Sequence, residues 1–230
     1  MMAAAEGAQT RARVAASDRG VLADGAAALG VALTDTQHDA IAAYLALLGK
    51  WNDRHNLTAI REPARMVTHH ALDALAVLPQ LPDRASLRVL DVGTGAGIPG
   101  ILLAIARPDW HVTLLDANQK KTAFVTQAIA ELRLRNAEAV QSRVERFTAA
   151  QPYDVVISRA FASLADFAAG AALHVADDGA LYAMKGVVPA DEIAALPPSV
   201  QVITTTTLAI PGLDDARSVV VMRPRDVSER

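Results

Sequence analysis

VLDVGTGAGIPG, residues 89–100, is an apolar run that meets an acid and then a turn carrying Gly93, Gly95, Gly97 and Gly100. An apolar strand that delivers such a turn to the start of a helix is how parallel α/β sheets bring a nucleoside ligand against bare backbone. Gly93, Gly95 and Gly97 let main-chain N–H groups approach a ligand where a Cβ would collide. A second apolar strand closes at Asp116, 25 residues after Asp91, where a carboxylate can accept from both hydroxyls of a ribose. Asp91 either holds the glycine turn through its amides or meets the amino group of the ligand, and turn support is the favoured reading.

Outward from this turn the chain alternates strands and helices. Strands are expected at 87–92, 111–116, 137–141, 153–158 and 180–185, with helices at 98–107, 119–133 and 163–175. The β-rich segments 200–208 and 218–222 lie too close for a crossover helix and pair as an antiparallel hairpin. Ahead of the sheet, Thr34 or Thr36 caps a helix whose apolar face holds Ile41, Tyr44, Leu45, Leu48 and Trp51. Asn52 and Asn56 serve as side-chain caps at the break that follows. Pro63 opens a second helix, with Met66, Val67, Leu75 and Leu78 buried, that Pro79 and Pro82 end. The expected organisation is a flexible tail at 1–30, a helical cap at 31–82 and one α/β core at 83–230.

Composition narrows the class. A chain of 230 residues, 52% hydrophobic, fills one well-packed core. The absence of cysteine excludes disulfides, thiolate metal sites and cysteine nucleophiles. Apolar stretches fall well short of the roughly 20 residues of a membrane span, and residues 1–30, with Arg11, Arg13 and Arg19, lack the apolar core of a secretory signal; a soluble cytoplasmic protein, without a membrane partner, is expected. The net charge of −3 hides an asymmetry: residues 120–150 hold six Lys/Arg against three acids, and residues 151–222 hold three against eight. A basic face for phosphates follows, with Arg54, Arg61, Arg65, Lys120 and Lys121 as candidates for RNA contact, each alternatively a solvated side chain. His55, His69 and His70 lack the spacing of H-E-x-x-H, so no metal is expected.

Two cofactors compete for the glycine turn. Gly95, Gly97 and Gly100 satisfy the G-x-G-x-x-G of nicotinamide folds, with Asp116 as the ribose acid. Asp91 before the glycines, the additional Gly93 and a sheet ending in a hairpin favour S-adenosylmethionine, because a dinucleotide fold needs a second mononucleotide half after Lys185. A Rossmann-like class I methyltransferase fold is expected, with a mainly parallel seven-stranded sheet. A nicotinamide-dependent oxidoreductase and a noncatalytic nucleotide-binding module are the alternatives from other classes.

The segments KWNDRHNLTAI (50–60), LDVGTGAGIPG (90–100), LLDANQKK (114–121), QSRVERF (141–147), ISRAFASL (157–164) and YAMKG (182–186) occur in this order. In them the chain resembles the RsmG (GidB) family of bacterial methyltransferases. The resemblance implies transfer of a methyl group from S-adenosylmethionine to N7 of a guanine in 16S rRNA, on naked rRNA or on the 30S subunit, by a monomer. It places cofactor contacts on Gly93, Ile98, Val144, Glu145 and Arg159, with Asp116 at the ribose position of related folds. The chain departs from the family in the second helix, where His69, His70, Asp73 and Ala74 replace an Arg-His pair followed by Asp-Ser. No acid or base is required, because N7 of guanine offers a lone pair and loses no proton. The base-positioning candidates are Phe161, stacking on the guanine, and Lys185 or Arg159, donating to O6 or a phosphate. The plainer alternative makes Phe161 a core residue and Lys185 a solvated strand end.

Overall fold

The structure, a computed structural model, describes residues 18–159 and 161–225. A first helix, α1, occupies residues 18–28, and α2 spans Asp35–His55. The next helix, α3, is continuous but irregular: Pro63–Met66 is α-helical, Val67–Leu72 is a π turn, and Asp73–Leu75 is α-helical again. The sheet strands are β1 (Arg88–Val92), β2 (His111–Asp116), β3 (Ala137–Gln141), β4 (Tyr153–Arg159), β5 (Val175–Lys185), β6 (Val200–Thr207) and β7 (Ser218–Pro224). Between them lie α4 (Gly100–Ala106), α5 (Gln119–Glu131), α6 (Leu164–Ala171) and α7 (Ala190–Ala194).

The seven strands stand in the order β3-β2-β1-β4-β5-β7-β6. Pairs through β5 are parallel, whereas β5–β7 and β6–β7 are antiparallel, which is the expected hairpin. The chain winds outward from β1 through β2 to β3, then returns to place β4 on the other side of β1. Strand order therefore reverses between β1 and β4, and the crevice outside their carboxyl ends is where doubly wound sheets bind ligands.

The apolar run of α4 has a physical reason. Ile101, Leu102 and Leu103 are all fully buried, so this helix needs no polar face, and each such side chain contributes about 1.5–3 kcal/mol. Thr34 and Gln37 form the capping box of α2, and the amide of Gln37 also donates to the Ile105 and Ala106 carbonyls at the end of α4. One core cluster spans α1, α2, α3, α4 and one face of the sheet, and a second fills the face covered by α6.

Several elements differ from expectation. Residues 18–30 are not a tail: Leu22 and Ala26 of α1 and Val31 after it are buried, while residues 1–17 lie outside the described residues. Helix 63–78 is interrupted by the π turn and gives way to a 3-10 turn at Leu78–Gln80. Helix 98–107 is shorter, starting at Gly100. Helix 163–175 stops at Ala171, and after a 3-10 turn β5 begins already at Val175. The short α7 had no periodic signal in the sequence.

Candidate functional site

The glycine turn is built by its own hydrogen bonds. Asp91, 0% exposed at the end of β1, accepts through Oδ2 from Thr94 Oγ1 at 2.5 Å and from Gly100 N at 2.8 Å. It supports the turn, as favoured, and its Oδ1 has no hydrogen-bond partner among the described residues. Burial drives the Asp91 carboxyl up to about 6, against the opposing pull of Thr94, Gly100 and Arg159. The amides of Gly93 and Thr94 donate to Leu115 O, those of Gly97 and Ile98 to Thr94 O, and that of Gly95 to Asp116 Oδ2 at 2.9 Å.

That pattern corrects one expectation. The amides of Gly93, Gly95 and Gly97 are taken by the protein and do not point free at a ligand. The glycines are needed for backbone shape and space: φ is +68° at Gly93 and +61° at Gly95, a region that costs other residues roughly 1–2 kcal/mol. A Cβ on Gly93 would meet nothing within 4 Å, and one on Gly95 only the Gly93 carbonyl at 3.9 Å. Both therefore face open space that a side chain would fill. On the other side of the turn the fit is tight, since a Cβ on Gly100 would lie 2.7 Å from Leu114 Cδ2.

Asp116 sits beside that space at the end of β2. Its Oδ2 holds Gly95 and its Oδ1 accepts from Asn118 N at 2.8 Å, with Lys121 Nζ 3.9 Å from Oδ2. Each carboxylate oxygen keeps a second lone pair for a hydroxyl donor. Asn118 in turn caps α5 by accepting from Lys120 N and Lys121 N. Val144 and Glu145 lie on a 3-10 turn after β3, Val144 buried and Glu145 exposed, and Glu145 makes no ion pair among the described residues. Ile98 is buried, so only its main chain is near the turn surface.

Arg159, the last residue of β4, donates from Nη1 to Asp73 Oδ2 at 2.9 Å and to His69 O at 3.1 Å. Asp73 is 2% exposed and also faces Arg217, whose Nε lies 3.2 Å from Oδ1 but off the direction of a hydrogen bond. The π turn makes this meeting possible. The Asp73 amide donates to Thr68 O and His70 O instead of to His69 O, and the His69 carbonyl accepts from Arg159.

The base-positioning candidates are distributed differently. The ring of Phe161 is 5.4 Å from that of Phe167 and packs on the second core cluster while remaining half-exposed. Lys185 Nζ is held by Glu192 of α7 at 2.9 Å and by the Phe161 carbonyl at 3.3 Å, so it ties the loop after β4 to α7. Among the RNA candidates, Arg54, Arg61, Arg65 and Lys120 are exposed and Lys121 is partly so. Arg61 Nη2 donates to Asn56 Oδ1 at 2.6 Å, and Asn56 is the left-handed cap of α2. His55, His69 and His70 are not brought together around a metal, and no metal-holding cluster is found among the described residues.

Three contacts were missed from sequence. The hydroxyl of Tyr44, buried in α2, donates to Ala96 O at 2.6 Å and ties the cap to the glycine turn. His70 accepts at Nε2 from the Thr58 hydroxyl and donates from Nδ1 to His69 O; burial and the nearby Arg159 hold its ring neutral, down to about 4. His174 Nε2 lies 3.1 Å from Val144 O. The apolar face of α2 pointed to a buried Tyr44, but its acceptor lies 52 residues away, where no periodicity reaches.

The family model described as "rRNA small subunit methyltransferase G" matches residues 37–220. The chain belongs to this family, GidB. It is 53% identical over 204 residues to "Ribosomal RNA small subunit methyltransferase G" of Burkholderia ambifaria, covering 87% of this chain and 90% of that protein. The protein of the same name from Burkholderia multivorans is 52% identical over 204 residues, with the same coverage. Solved structures show the fold. TrmN from Thermus thermophilus aligns with TM-score 0.53 at 22% identity, over 66% of this chain and 48% of that one. Coclaurine N-methyltransferase, bound to N-methylheliamine and SAH, aligns with TM-score 0.53 at 14% identity, over 86% and 73%. The fold is that of a class I methyltransferase, and among the described residues no helix is long and apolar enough to cross a membrane.

Proposed function

We propose that this GidB-family methyltransferase carries a methyl group from S-adenosylmethionine to N7 of a guanine in small-subunit rRNA. The reading rests on one observation above others: the missing Cβ atoms of Gly93 and Gly95 face open space beside Asp116. Gly93, Gly95 and Gly97 shape that space, Asp116 receives the ribose hydroxyls, and Val144 with Glu145 borders the adenine. Ile98 lends its main chain, and Arg159 turns its remaining donors to the methionyl end, since all its hydrogen bonds within the described residues leave from Nη1.

S-adenosylmethionine supplies a sulfonium methyl that the N7 lone pair takes in line, the S–CH3 electron pair staying on sulfur and no proton leaving the base. The protein therefore needs no general base, and its task is to align two reactants and exclude water. Methylation at C5 of a pyrimidine, which proceeds through a cysteine adduct, is excluded by the absence of cysteine. Arg54, Arg61, Arg65, Lys120 and Lys121 are proposed to meet rRNA phosphates on naked rRNA or the 30S subunit. Phe161, through the exposed part of its ring, and Lys185, through the loop it anchors, are proposed to place the base. The protein is read as a cytoplasmic monomer.

Calorimetric titration with S-adenosylmethionine, S-adenosylhomocysteine and NADH tests the donor, and binding of NADH alone would reject it. Incubating 30S subunits and naked rRNA from a strain lacking this activity with labelled donor, then mapping the modified base by mass spectrometry, tests the acceptor. Label on adenine or cytidine would reject N7 of guanine. Phe161→Ala should lower kcat with little change in donor affinity, and unchanged turnover would make Phe161 a packing residue only.

A further inference from the structure

Beside the donor site lies a second cavity, about 250 Å³, lined by Asp73, Arg159, Met184, Lys185, Gly186, Leu208, Arg217 and Ser218. It opens at the carboxyl ends of β4 and β5 and at the start of β7. Pockets for whole drug-sized ligands run to about 300–1,000 Å³, so this one suits a single heterocycle. Met184 and Leu208 give it apolar walls, and Arg159 joins it to the donor site, because the charge of Arg159 also reaches Asp91.

The polar group at its base is unusual. Asp73 is 2% exposed, and its Oδ2 is satisfied by Arg159, while its Oδ1 has no hydrogen bond. A buried carboxylate oxygen left without a donor is costly. Its nearest cation, Arg217, is misaligned for it, is 23% exposed, and has a second carboxylate within reach, Asp215 Oδ2 at 3.7 Å from Nη2. Arg217 is thus a cover with another place to go.

We propose that Asp73 is the specificity residue for the target base and that its Oδ1 accepts from the N1–H and 2-amino group of guanine once Arg217 swings toward Asp215. Guanine presents two donors at that edge. Adenine has an acceptor at N1 and no 2-amino group, so it leaves Oδ1 unsatisfied. Held by this edge, a guanine leaves the imidazole edge that carries N7 unobstructed. The inference rests on the guanine N7 reading above and adds the residue that chooses the base. It assigns base choice to α3 and the β6–β7 connection, which Phe161 and Lys185 do not belong to.

The test uses 30S subunits reconstituted with rRNA that carries either guanine or inosine at the mapped position. Inosine keeps N7, O6 and N1–H and lacks only the 2-amino group. Wild-type enzyme should methylate inosine with kcat/KM about 10- to 150-fold lower, the loss of one hydrogen bond to a charged group. Asp73→Asn should reduce that preference to about twofold or less, with S-adenosylhomocysteine titration reporting separately on whether the donor site survives. Arg217→Gln should keep the preference, since it removes the cover and leaves the reader. Equal use of both bases by the wild type, retention of the preference by Asp73→Asn, or its loss in Arg217→Gln would each overturn the assignment. If Asp73→Asn does not fold, the wild-type and Arg217→Gln comparisons decide alone. Absence of N7 methylation on the guanine substrate would instead overturn the underlying functional reading.

Discussion

Replacing Asp91 with Asn removes a titrating group from the middle of the glycine turn while keeping an oxygen to accept from Thr94 and Gly100. Asp91 is fully buried and its carboxyl is pushed up to about 6 from 3.8, chiefly by desolvation. A group whose pKa is raised on folding contributes stability that is complete below its unfolded value and is lost as pH rises through its folded value. The span from 3.8 to about 6, at about 1.36 kcal/mol per pH unit, makes the wild type lose about 3 kcal/mol between pH 3.8 and 7 through this group. Asn has no such dependence. Urea unfolding of both proteins at a series of pH values from 4 to 7.5 should therefore show the stability difference moving in favour of Asp91→Asn by about 3 kcal/mol as pH rises. The absolute stability of the variant is immaterial, because only the pH dependence of the difference is read. A difference that stays constant across that range would refute the claim that burial without an Oδ1 partner destabilises the ionised carboxylate.

Two further substitutions test the surroundings. His70 titrates with the opposite sign: its pKa falls from 6.5 to about 4 on folding, so its contribution is present above pH 6.5 and is lost as pH falls through 4. Acidifying across that window should cost the wild type about 3 kcal/mol relative to His70→Gln in urea unfolding, and parallel curves for the two would contradict the neutral, Thr58-bonded ring. Gly95→Val places a branched side chain in the open space beside Asp116 at φ +61°. It should abolish S-adenosylmethionine binding in calorimetry while lowering stability by only about 1–2 kcal/mol; donor affinity equal to wild type would move the donor elsewhere.

The alternation from Arg88 to Lys185 was legible because parallel strands buried on both faces read as apolar runs, and because turn glycines and capping residues such as Thr34 and Asn118 mark the ends of elements locally. The spacing from Val200 to Ser218 fixed the antiparallel hairpin in the same way. Asp116 was found because its place at a strand end beside the glycine turn is a short-range signal. The pairing of Asp73 with Arg159 and Arg217 was not, since partners 86 residues apart and more meet only in the folded chain. The basic candidates Arg61 and Lys185 were visible as charges, yet their partners, Asn56 and Glu192, decide what each has left to offer. The glycine amides were assigned to a ligand because sequence shows donors and hides acceptors such as Leu115 O.

The π turn at Val67–Leu72 carries one residue more per turn than the helix on either side of it. A deletion of a single residue there would relax the segment to regular helix and rotate everything after it by about 100°. Every side chain would survive, yet Asp73 would leave Arg159 and a neighbour would stand in its place. In this stretch length is as constrained as composition, and descendants of the chain should tolerate exchanges of residues far more readily than a gap.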